Sequence, residues 1–214
     1  MYHFFKRFFD IFLCSIALIV LIPLFLITAI GIKVSSKGPV FYCSTRVKKK
    51  HKDFVLYKFR SMHVTNNDKG LFIADEERLF WFGKLIRKLK IDEIPQLINV
   101  IKGDMSIVGP RPMPAKTVDL IYSGKYQDVL NINPGLTSVA SLYDYVVGET
   151  FDDNDLYTKE VLPIKRELEL YYLKNESFSY DAYLVAKTII VIIASVFRQQ
   201  RKIRFKELER IDVK

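Results

Sequence analysis

Two adjacent carboxylates, Asp92 and Glu93, lie in the middle of the chain between clusters of positive charge. A carboxylate can attack phosphorus or carbon and form a covalent intermediate, or it can hold a divalent metal that neutralises phosphate oxygens. The neighbouring cations then offset the charge of a phosphorylated donor. For Asp92 taken alone, a helix N-cap explains the residue equally well. Glu93 beside it can simply interact favourably with a helix dipole.

Further cations that suit phosphate chemistry flank this pair in the sequence. Arg87 lies just before it, and Arg111 lies between Pro110 and Pro112, which limit the backbone freedom of the arginine. A planar guanidinium held in this way can bind two phosphate oxygens, although a turn with a solvated arginine fits the same residues. Lys58 and Arg60 end a strand-like run and either bind phosphate or line a solvated edge.

The composition restricts the class of protein and of partner. A chain of 214 residues that is 50% hydrophobic and 27% charged fits one compact domain, which excludes a disordered or collagen-like protein. The net charge of +9 favours an anionic partner without choosing among phosphate, nucleotide, nucleic acid and acidic lipid. Cys14 and Cys43 alone support neither a disulfide framework nor a cysteine-based zinc site.

An uncharged apolar run from Ile11 to Ile32 has the length of a membrane segment. It lacks the cleavage pattern of a signal peptide, and it lacks the polar face of a helix buried in a soluble protein. Pro23 divides the run into halves that are each too short to cross a bilayer, and cations flank both ends. The positive-inside rule therefore draws both ends toward the cytoplasm.

Two topologies account for this run. A re-entrant hairpin broken at Pro23 explains the proline and both cationic flanks, whereas a spanning helix must export Lys6 and Arg7. Proline kinks also occur in spanning helices, so both topologies stay open, with the hairpin the better fit.

The remaining patterns predict a mainly helical chain with a little β structure and no internal repeat. A second apolar stretch, Thr188 to Phe197, is too short to span and fits an interfacial or a core helix. Strand-like composition is found at 40–42 and 54–59, and polar loops at 66–70 and 152–155. Helical patterns cover 75–89, 92–102 with Gly103 as the stop, 162–173 and 181–197.

The order and spacing of these motifs resemble the bacterial sugar transferase family of small monotopic phosphoglycosyl transferases. The resemblance covers nearly the whole chain and is weakest over 113–133 and 138–168. The matching stretches are Phe9-Asp10 with the proline-broken apolar run, 37–42, 57–62, 83–87, the long and highly specific run 92–112, 134–137 and 169–181.

The resemblance implies a fold and a location. We expect an α+β, mainly α, monotopic membrane protein with a re-entrant helix-break-helix hairpin over residues 1–36. Residues 37–214 would form a small catalytic domain in the cytosol and at the membrane interface, with amphipathic interfacial helices. The expected site of action is the cytoplasmic face of the bacterial inner membrane.

The resemblance also implies a reaction. The expected enzyme transfers a sugar 1-phosphate from a UDP-sugar to a polyprenyl phosphate such as undecaprenyl phosphate and releases UMP, the first membrane step of glycan assembly. Asp92 matches the family nucleophile, which forms a phosphosugar-enzyme intermediate. Glu93 matches its partner, expected to assist with Mg²⁺ or with activation of the acceptor, so the pair is the expected metal site. Lys58, Arg60, Arg87 and Arg111 match the family's basic motifs.

The sequence departs from the family pattern in three places. Many members have Ser before the membrane proline, where this chain has Ile22. Glu169, a candidate substrate-binding residue, stands where the family often has Asp. The residues after Thr137 read Ser138-Val139-Ala140-Ser141, where many members have Gly-Trp-Ala-Gln.

Two other classes of function fit some of the same residues. A noncatalytic membrane-surface adaptor would use the basic patches for anionic lipid and the carboxylates as helix caps. A nucleic-acid binder would use the basic residues, but the sequence contains no recognisable nucleic-acid-binding module, so no nucleic acid is expected as a partner. The sugar, the glycan pathway and the oligomeric state are not determined by these patterns.

Overall fold

The computed structural model describes residues 1–63, 78–151, 153–197 and 199–211. The helices are α1 (Tyr2–Val20), α2 (Ile22–Ser35), α3 (Trp81–Lys88), α4 (Gln96–Lys102), α5 (Ala115–Ile121), α6 (Val139–Val146), α7 (Asn154–Glu160), α8 (Leu162–Asn175) and α9 (Phe178–Val196). The strands are β1 (Phe41–Lys48), β2 (Lys52–Phe59), β3 (Ser106–Val108) and β4 (Gly135–Thr137). The predicted α+β class with mainly helical content is confirmed.

The apolar N-terminal run forms two helices rather than one. The break lies at Leu21, and α1 and α2 are bent by 61° relative to each other. Pro23 lies in the first turn of α2, where the missing N–H is tolerated, whereas its ring would clash with a carbonyl of a straight helix. The proline break is therefore found, while the side of the membrane on which each end lies stays a prediction.

Only α9, among the helices in the described part of the chain, is long and apolar enough by itself to cross a membrane. The bent pair of α1 and α2 passes the same criteria when it is taken as one segment. The apolar stretch predicted at Thr188 to Phe197 is thus the second half of a longer helix, which begins at Phe178 after the N-cap Ser177.

Large apolar side chains form an exposed surface on α1, α2, α3 and α9. The rings of Tyr2 and Phe9 on α1 both contact Phe178 on α9, so the first turns of these helices lie side by side. This apolar surface includes Phe8, Phe12, Ile16, Ile19, Leu26, Ile27, Ile30, Trp81, Leu85, Ile189, Ile190 and Ile193. Such an extended apolar surface is typical of contact with a membrane or another protein.

Buried polar contacts tie the start of α1 to the globular part. Asp10 accepts a hydrogen bond from the Ser106 hydroxyl at 2.6 Å and another from the Ile107 N–H at 3.2 Å. Arg7 donates to the carbonyls of Val100 and Ile101 at the end of α4. The division of the chain at residue 36 stays a prediction, and these contacts join its two sides.

Within the described residues, the strands form two sheets of two strands each. β1 and β2 form an antiparallel hairpin in which Phe41 pairs with Phe59, and the predicted strand segments lie within it except for residue 40, which precedes β1. β3 and β4 pair in parallel and are too short to produce a periodic pattern in the sequence. A Cβ atom at Gly135 would lie 2.1 Å from the Gly109 nitrogen, so glycine is required where these two segments meet.

The structure confirms some of the other elements that the sequence predicts. The helix predicted at 162–173 is confirmed as α8, and the helix predicted at 75–89 is found as α3 over its described C-terminal part. The polar loop at 66–70 lies outside the described residues. In the predicted loop at 152–155, Asp153 accepts hydrogen bonds from the N–H groups of Asp155 and Leu156, so this position caps α7.

Arg60 joins the end of β2 to the loop that leaves α2. Its guanidinium is buried and donates to the carbonyls of Ser36, Lys37 and Pro39 at 2.9, 3.0 and 2.7 Å, and to the Ser36 hydroxyl at 3.1 Å. Gly38 adopts a φ of 124° beside it, with the guanidinium where a side chain would begin. The arginine thus satisfies carbonyls that the turn after α2 would otherwise leave unpaired.

Arg60→Ala should destabilise the protein by about 1–3 kcal/mol, because it removes the donor to the buried Ser36 carbonyl and to the Lys37 and Pro39 carbonyls. Chemical unfolding in detergent micelles would measure the effect. Arg204→Ala, which removes an exposed arginine, is the matched control and should have little effect. Equal stability of the two variants would show that the loop finds other donors.

Candidate active site

A left-handed turn places Asp92 and Glu93 between α3 and α4. Lys90 adopts φ 56° and ψ 19°, and a short 3₁₀ turn follows over Ile91–Glu93. The Lys90 N–H donates to the Arg87 carbonyl at 3.1 Å, and the Lys90 carbonyl accepts from the Glu93 N–H at 3.2 Å. The helix predicted to begin at Asp92 begins at Gln96 instead, although it ends as predicted before Gly103.

Asp92 does not cap α4. Pro95 occupies the N-cap position, and Asp92 Oδ1 is buried with no hydrogen-bond partner in the described structure. The N-cap interpretation is therefore wrong. A buried unpaired carboxylate oxygen is energetically costly, so the arrangement points to a ligand or to chemistry at this atom.

The surroundings of Asp92 shift its pKa in opposite directions. Burial raises the pKa of Asp92, and the adjacent Glu93 charge adds to this effect. Lys58, Lys90 and Arg87 oppose the shift by favouring the carboxylate. Among the described residues, these cations act on Asp92 through charge alone, and none of them is hydrogen-bonded to Oδ1.

Glu93 is held as a carboxylate by cations from two other elements. Its Oε1 lies 2.9 Å from Lys58 Nζ on β2 and 3.8 Å from Arg111 Nη2, which follows β3. Burial acts to raise the pKa of Glu93, but Lys58, Arg111 and Lys90 together hold it well below the ordinary value. The structure thus brings four predicted site residues together: Lys58, Asp92, Glu93 and Arg111.

Asn99 is a positioning residue that sequence reasoning missed. It is fully buried on α4, where its Oδ1 accepts from the Tyr57 N–H at 3.0 Å and its Nδ2 donates to the Val55 carbonyl at 2.7 Å. These bonds attach α4 to β2 and so place Lys58 beside Glu93. An amide among the apolar residues of α4 was the available signal.

The other predicted cations differ in their position. Arg87 lies on the last turn of α3, acts electrostatically on Asp92 and donates to Met62 Sδ at 3.8 Å. The Arg111 side chain is 43% exposed and can reach a ligand. Arg60 is directed into the loop after α2, so its phosphate-binding role stays a prediction and the site described here does not include it.

Glu169 lies behind Arg111, buried on α8. Its Oε1 accepts from the Ser138 hydroxyl at 3.3 Å, and Oε2 has no hydrogen-bond partner among the described residues. Burial raises the pKa of Glu169 to about 7, an effect that Lys165, Ser138 and the Arg111 backbone only partly oppose. Ser138 also caps α6 by accepting from the Ser141 N–H, so the departure from the family pattern here builds a helix terminus.

A second charged cluster, also missed from the sequence, lies on the far side of Arg111. Asp144 on α6 pairs with Lys165 at 2.9 Å and accepts from the Tyr157 hydroxyl at 2.6 Å. Burial acts to raise the pKa of Asp144, but Lys165, Tyr157 and, at longer range, Arg111 hold it below the ordinary value. Negative charge therefore faces Arg111 from both Glu93 and Asp144.

The two carboxylates fit the coordination chemistry of Mg²⁺. This ion commonly uses one or two protein carboxylates and completes its shell with substrate phosphates and water. Within the described residues there is no cluster of three or more His, Cys, Asp or Glu side chains that could enclose a metal alone. The adjacent Asp92 and Glu93 carboxylates instead suit an ion that is shared with a phosphate-bearing ligand.

The raised pKa of Glu169 predicts a pH-dependent stability. Because the folded state holds this proton more tightly, stability should fall as pH rises from about 4.5 to about 7 and then level off. Glu169→Gln should therefore gain stability relative to the wild type at pH 8 but not at pH 5. The difference should be on the order of 3 kcal/mol or less. Unfolding at both pH values would measure it, with exposed Glu160→Gln as the control. A pH-independent difference would contradict the assignment.

The amino-acid sequence is similar to a protein family and to several known proteins. Residues 1–195 match the family described as Bacterial sugar transferase. The chain is 40% identical over 198 residues to an Aeromonas hydrophila protein named UDP-N-acetylgalactosamine-undecaprenyl-phosphate N-acetylgalactosaminephosphotransferase, covering 90% of this chain and 44% of that protein. It is 36% identical over 200 residues to the uncharacterized sugar transferase EpsL of Bacillus subtilis, covering 91% of this chain and 90% of that one.

A third relative has a similar extent of match. The UDP-glucose:undecaprenyl-phosphate glucose-1-phosphate transferase of Klebsiella pneumoniae is 32% identical over 194 residues, which are 86% of this chain and 39% of that protein. The chain thus spans less than half the length of two of these relatives and most of EpsL. The match includes the α1–α2 pair, the Asp92–Glu93 turn and Arg111. This chain belongs to the bacterial sugar transferase family.

Proposed function

We propose that the protein transfers a sugar 1-phosphate from a UDP-sugar to undecaprenyl phosphate or a similar polyprenyl phosphate, with release of UMP. The observation that carries the proposal is the buried Asp92, whose Oδ1 has no hydrogen-bond partner among the described residues, beside a Glu93 held by Lys58 and Arg111. The Aeromonas and Klebsiella relatives carry names that specify UDP-sugars and undecaprenyl phosphate. The reaction would be the first membrane step of glycan assembly, as in exopolysaccharide, capsule, O-antigen or glycoprotein glycans.

In the first half-reaction, Asp92 Oδ1 attacks the phosphorus that carries the sugar. A new bond forms between the carboxylate oxygen and phosphorus, and the phosphoanhydride bond to UMP breaks. UMP leaves with the electron pair of that bond. The sugar phosphate remains on the enzyme as an aspartyl mixed anhydride.

In the second half-reaction, a phosphate oxygen of the polyprenyl phosphate attacks the same phosphorus. The bond to Asp92 breaks, and the carboxylate leaves with its electron pair. The product is a polyprenyl diphosphate sugar. A covalent intermediate suits these substrates because a water-soluble donor and a lipid acceptor can then use one site in turn.

The cations of the site would bind and orient the phosphates. Arg111 can present two N–H groups to one phosphate, a geometry that lysine does not offer. Lys58 favours negative charge at both Asp92 and Glu93, and Arg87 favours it at Asp92. Bound Mg²⁺, held by Asp92 and Glu93, would supply neutralising charge for diphosphate oxygens.

The proposed location is the cytoplasmic face of the bacterial inner membrane, with α1 and α2 as a re-entrant hairpin. The exposed apolar side chains of both helices and the cations at both ends support this topology. Contacts after α9 support a monotopic arrangement for the C-terminal part as well. Lys187 within α9 lies 3.3 Å from Glu207, and the Phe205 ring contacts Tyr143 on α6.

These contacts argue that α9 lies along the membrane surface rather than across it. Residues that follow α9 return to the globular part, so both ends of α9 lie on the same side. A spanning α9 would instead separate Glu207 from Lys187 and leave a lysine unpaired within the bilayer, which is costly. The face with Ile189, Ile190 and Ile193 is exposed and suits the lipid side.

Asp92→Asn should lower turnover by orders of magnitude, because a neutral amide does not supply the attacking oxygen anion. With donor alone, the wild-type enzyme should release UMP and retain a radiolabelled sugar phosphate, whereas Asp92→Asn should retain none. Mass spectrometry of the trapped enzyme would identify the labelled residue. A panel of UDP-sugars in this assay would identify the donor.

Glu93→Gln serves as the comparison, since an assisting role leaves room for partial activity. Normal turnover by folded Asp92→Asn, or a label that maps to another residue, would contradict the assignment of the nucleophile. A wild-type protein that releases no UMP from any UDP-sugar, yet binds anionic vesicles, would favour the adaptor function instead.

Cysteine labelling should place residues 4, 37 and 206 on the same side of the membrane. In a background with Cys14 and Cys43 replaced, Phe4→Cys, Lys37→Cys and Lys206→Cys should react with a membrane-impermeant maleimide in inverted vesicles but not in right-side-out vesicles. Ile27→Cys, within the apolar run, is the control and should react in neither. Periplasmic labelling at residue 4 would show that the N-terminal run spans, and periplasmic labelling at residue 206 would show that α9 spans.

A further inference from the structure

We propose that Tyr145 and Lys90 form a positioning pair that holds the left-handed turn before Asp92 in the conformation needed for attack on the donor. The proposal rests on the proposed function of Asp92 as nucleophile. It assigns a role in the reaction to α6, which lies in the part of the chain where the motifs of the family are least evident.

Tyr145 makes two contacts, one on either side of Leu89. The Lys90 ammonium lies 4.0 Å from the centroid of the Tyr145 ring, within the range of a cation–π interaction. The Tyr145 hydroxyl donates a hydrogen bond to the Lys88 carbonyl at 3.4 Å. One side chain on α6 therefore contacts both the last residue of α3 and the residue in the left-handed turn.

The turn at Lys90 needs external support because its backbone conformation disfavours residues with a side chain. At φ 56°, the Lys90 N–H bonds back to Arg87 and its carbonyl accepts from Glu93. The dihedral angles of Lys90 thus determine how the chain enters the Ile91–Glu93 turn, and Asp92 lies at the centre of that turn. If the turn relaxed, the carboxylate would move relative to Lys58 and Arg111.

α6 is a rigid support for this contact. Tyr143 and Val146 are buried in the core, and the Ser138 hydroxyl caps the helix by accepting from the Ser141 N–H at 3.0 Å. Tyr145, between these buried residues, is directed toward α3 and Lys90. Because α6 is fixed by its packing in the core, its contacts through Tyr145 hold the turn that carries the nucleophile.

The test compares Tyr145→Leu with Tyr145→Phe in the first half-reaction. Single-turnover formation of the labelled enzyme from donor alone gives a saturating rate and a half-saturating donor concentration. Tyr145→Leu, which removes the ring, should lower the saturating rate by about three- to tenfold with little change in the half-saturating concentration. Tyr145→Phe keeps the ring and should retain most of the wild-type rate.

Tyr126→Leu is the matched control. Tyr126 also lies under a lysine, Lys125 at 5.1 Å, but it makes none of the contacts described around Asp92. The Tyr126→Leu substitution should leave the saturating rate unchanged. A general loss of folding would lower the rate in both leucine variants, and the midpoint of thermal unfolding in detergent would reveal it.

A double-mutant cycle then tests whether the two residues act through each other. Lys90→Met should lower the saturating rate, and combining it with Tyr145→Leu should add little further loss. Losses that multiply, an equal defect in Tyr145→Phe, or an unchanged saturating rate in Tyr145→Leu would each overturn the pair. A wild-type protein that forms no phosphosugar at Asp92 would contradict the proposed function and this inference with it, whereas normal labelling with unaltered variants would contradict the inference alone.

Discussion

The burial of two adjacent carboxylates is the constraint on which the site depends. Asp92 and Glu93 repel each other, and burial penalises the charge on both, so the fold must supply compensating cations. It supplies them unevenly: Glu93 receives Lys58 and Arg111, while Asp92 Oδ1 has no hydrogen-bond partner in the part of the chain that the structure describes. That asymmetry fits the proposed roles, in which Glu93 holds the cations in place and Asp92 reacts.

The compensating cations come from distant parts of the chain, and specific polar contacts bring them together. Lys58 reaches Glu93 because Asn99 attaches β2 to α4. Arg111 follows β3, which is tied to α1 through Asp10 and lies in parallel with β4. The helix α1, which begins the apolar N-terminal pair, therefore belongs to the same polar framework as the site, and this suits the proposed transfer from a water-soluble donor to a lipid acceptor.

Residue chemistry predicted much of this arrangement because local sequence controls local structure. The proline at position 23 interrupts a helix wherever it is packed, and Gly103 ends α4 because glycine readily adopts a positive φ. Asp92 looked like an N-cap because the helix was expected to begin there. The left-handed turn at Lys90 and the proline at position 95 delay the helix to Gln96, and no periodic pattern marks such a turn.

What the sequence by itself determined is the family, the mainly helical class, the broken apolar run and the set of charged residues that meet around Asp92. Only the tertiary structure decided how those charges are used. Arg60 bonds to backbone carbonyls of the loop after α2, Glu169 lies buried behind Arg111, and Asp144, Tyr145 and Asn99 join the surroundings of the site. The physical reason is that the sequence shows which side chains are charged but not which groups they pair with. The pairing depends on contacts between residues that lie far apart in the chain.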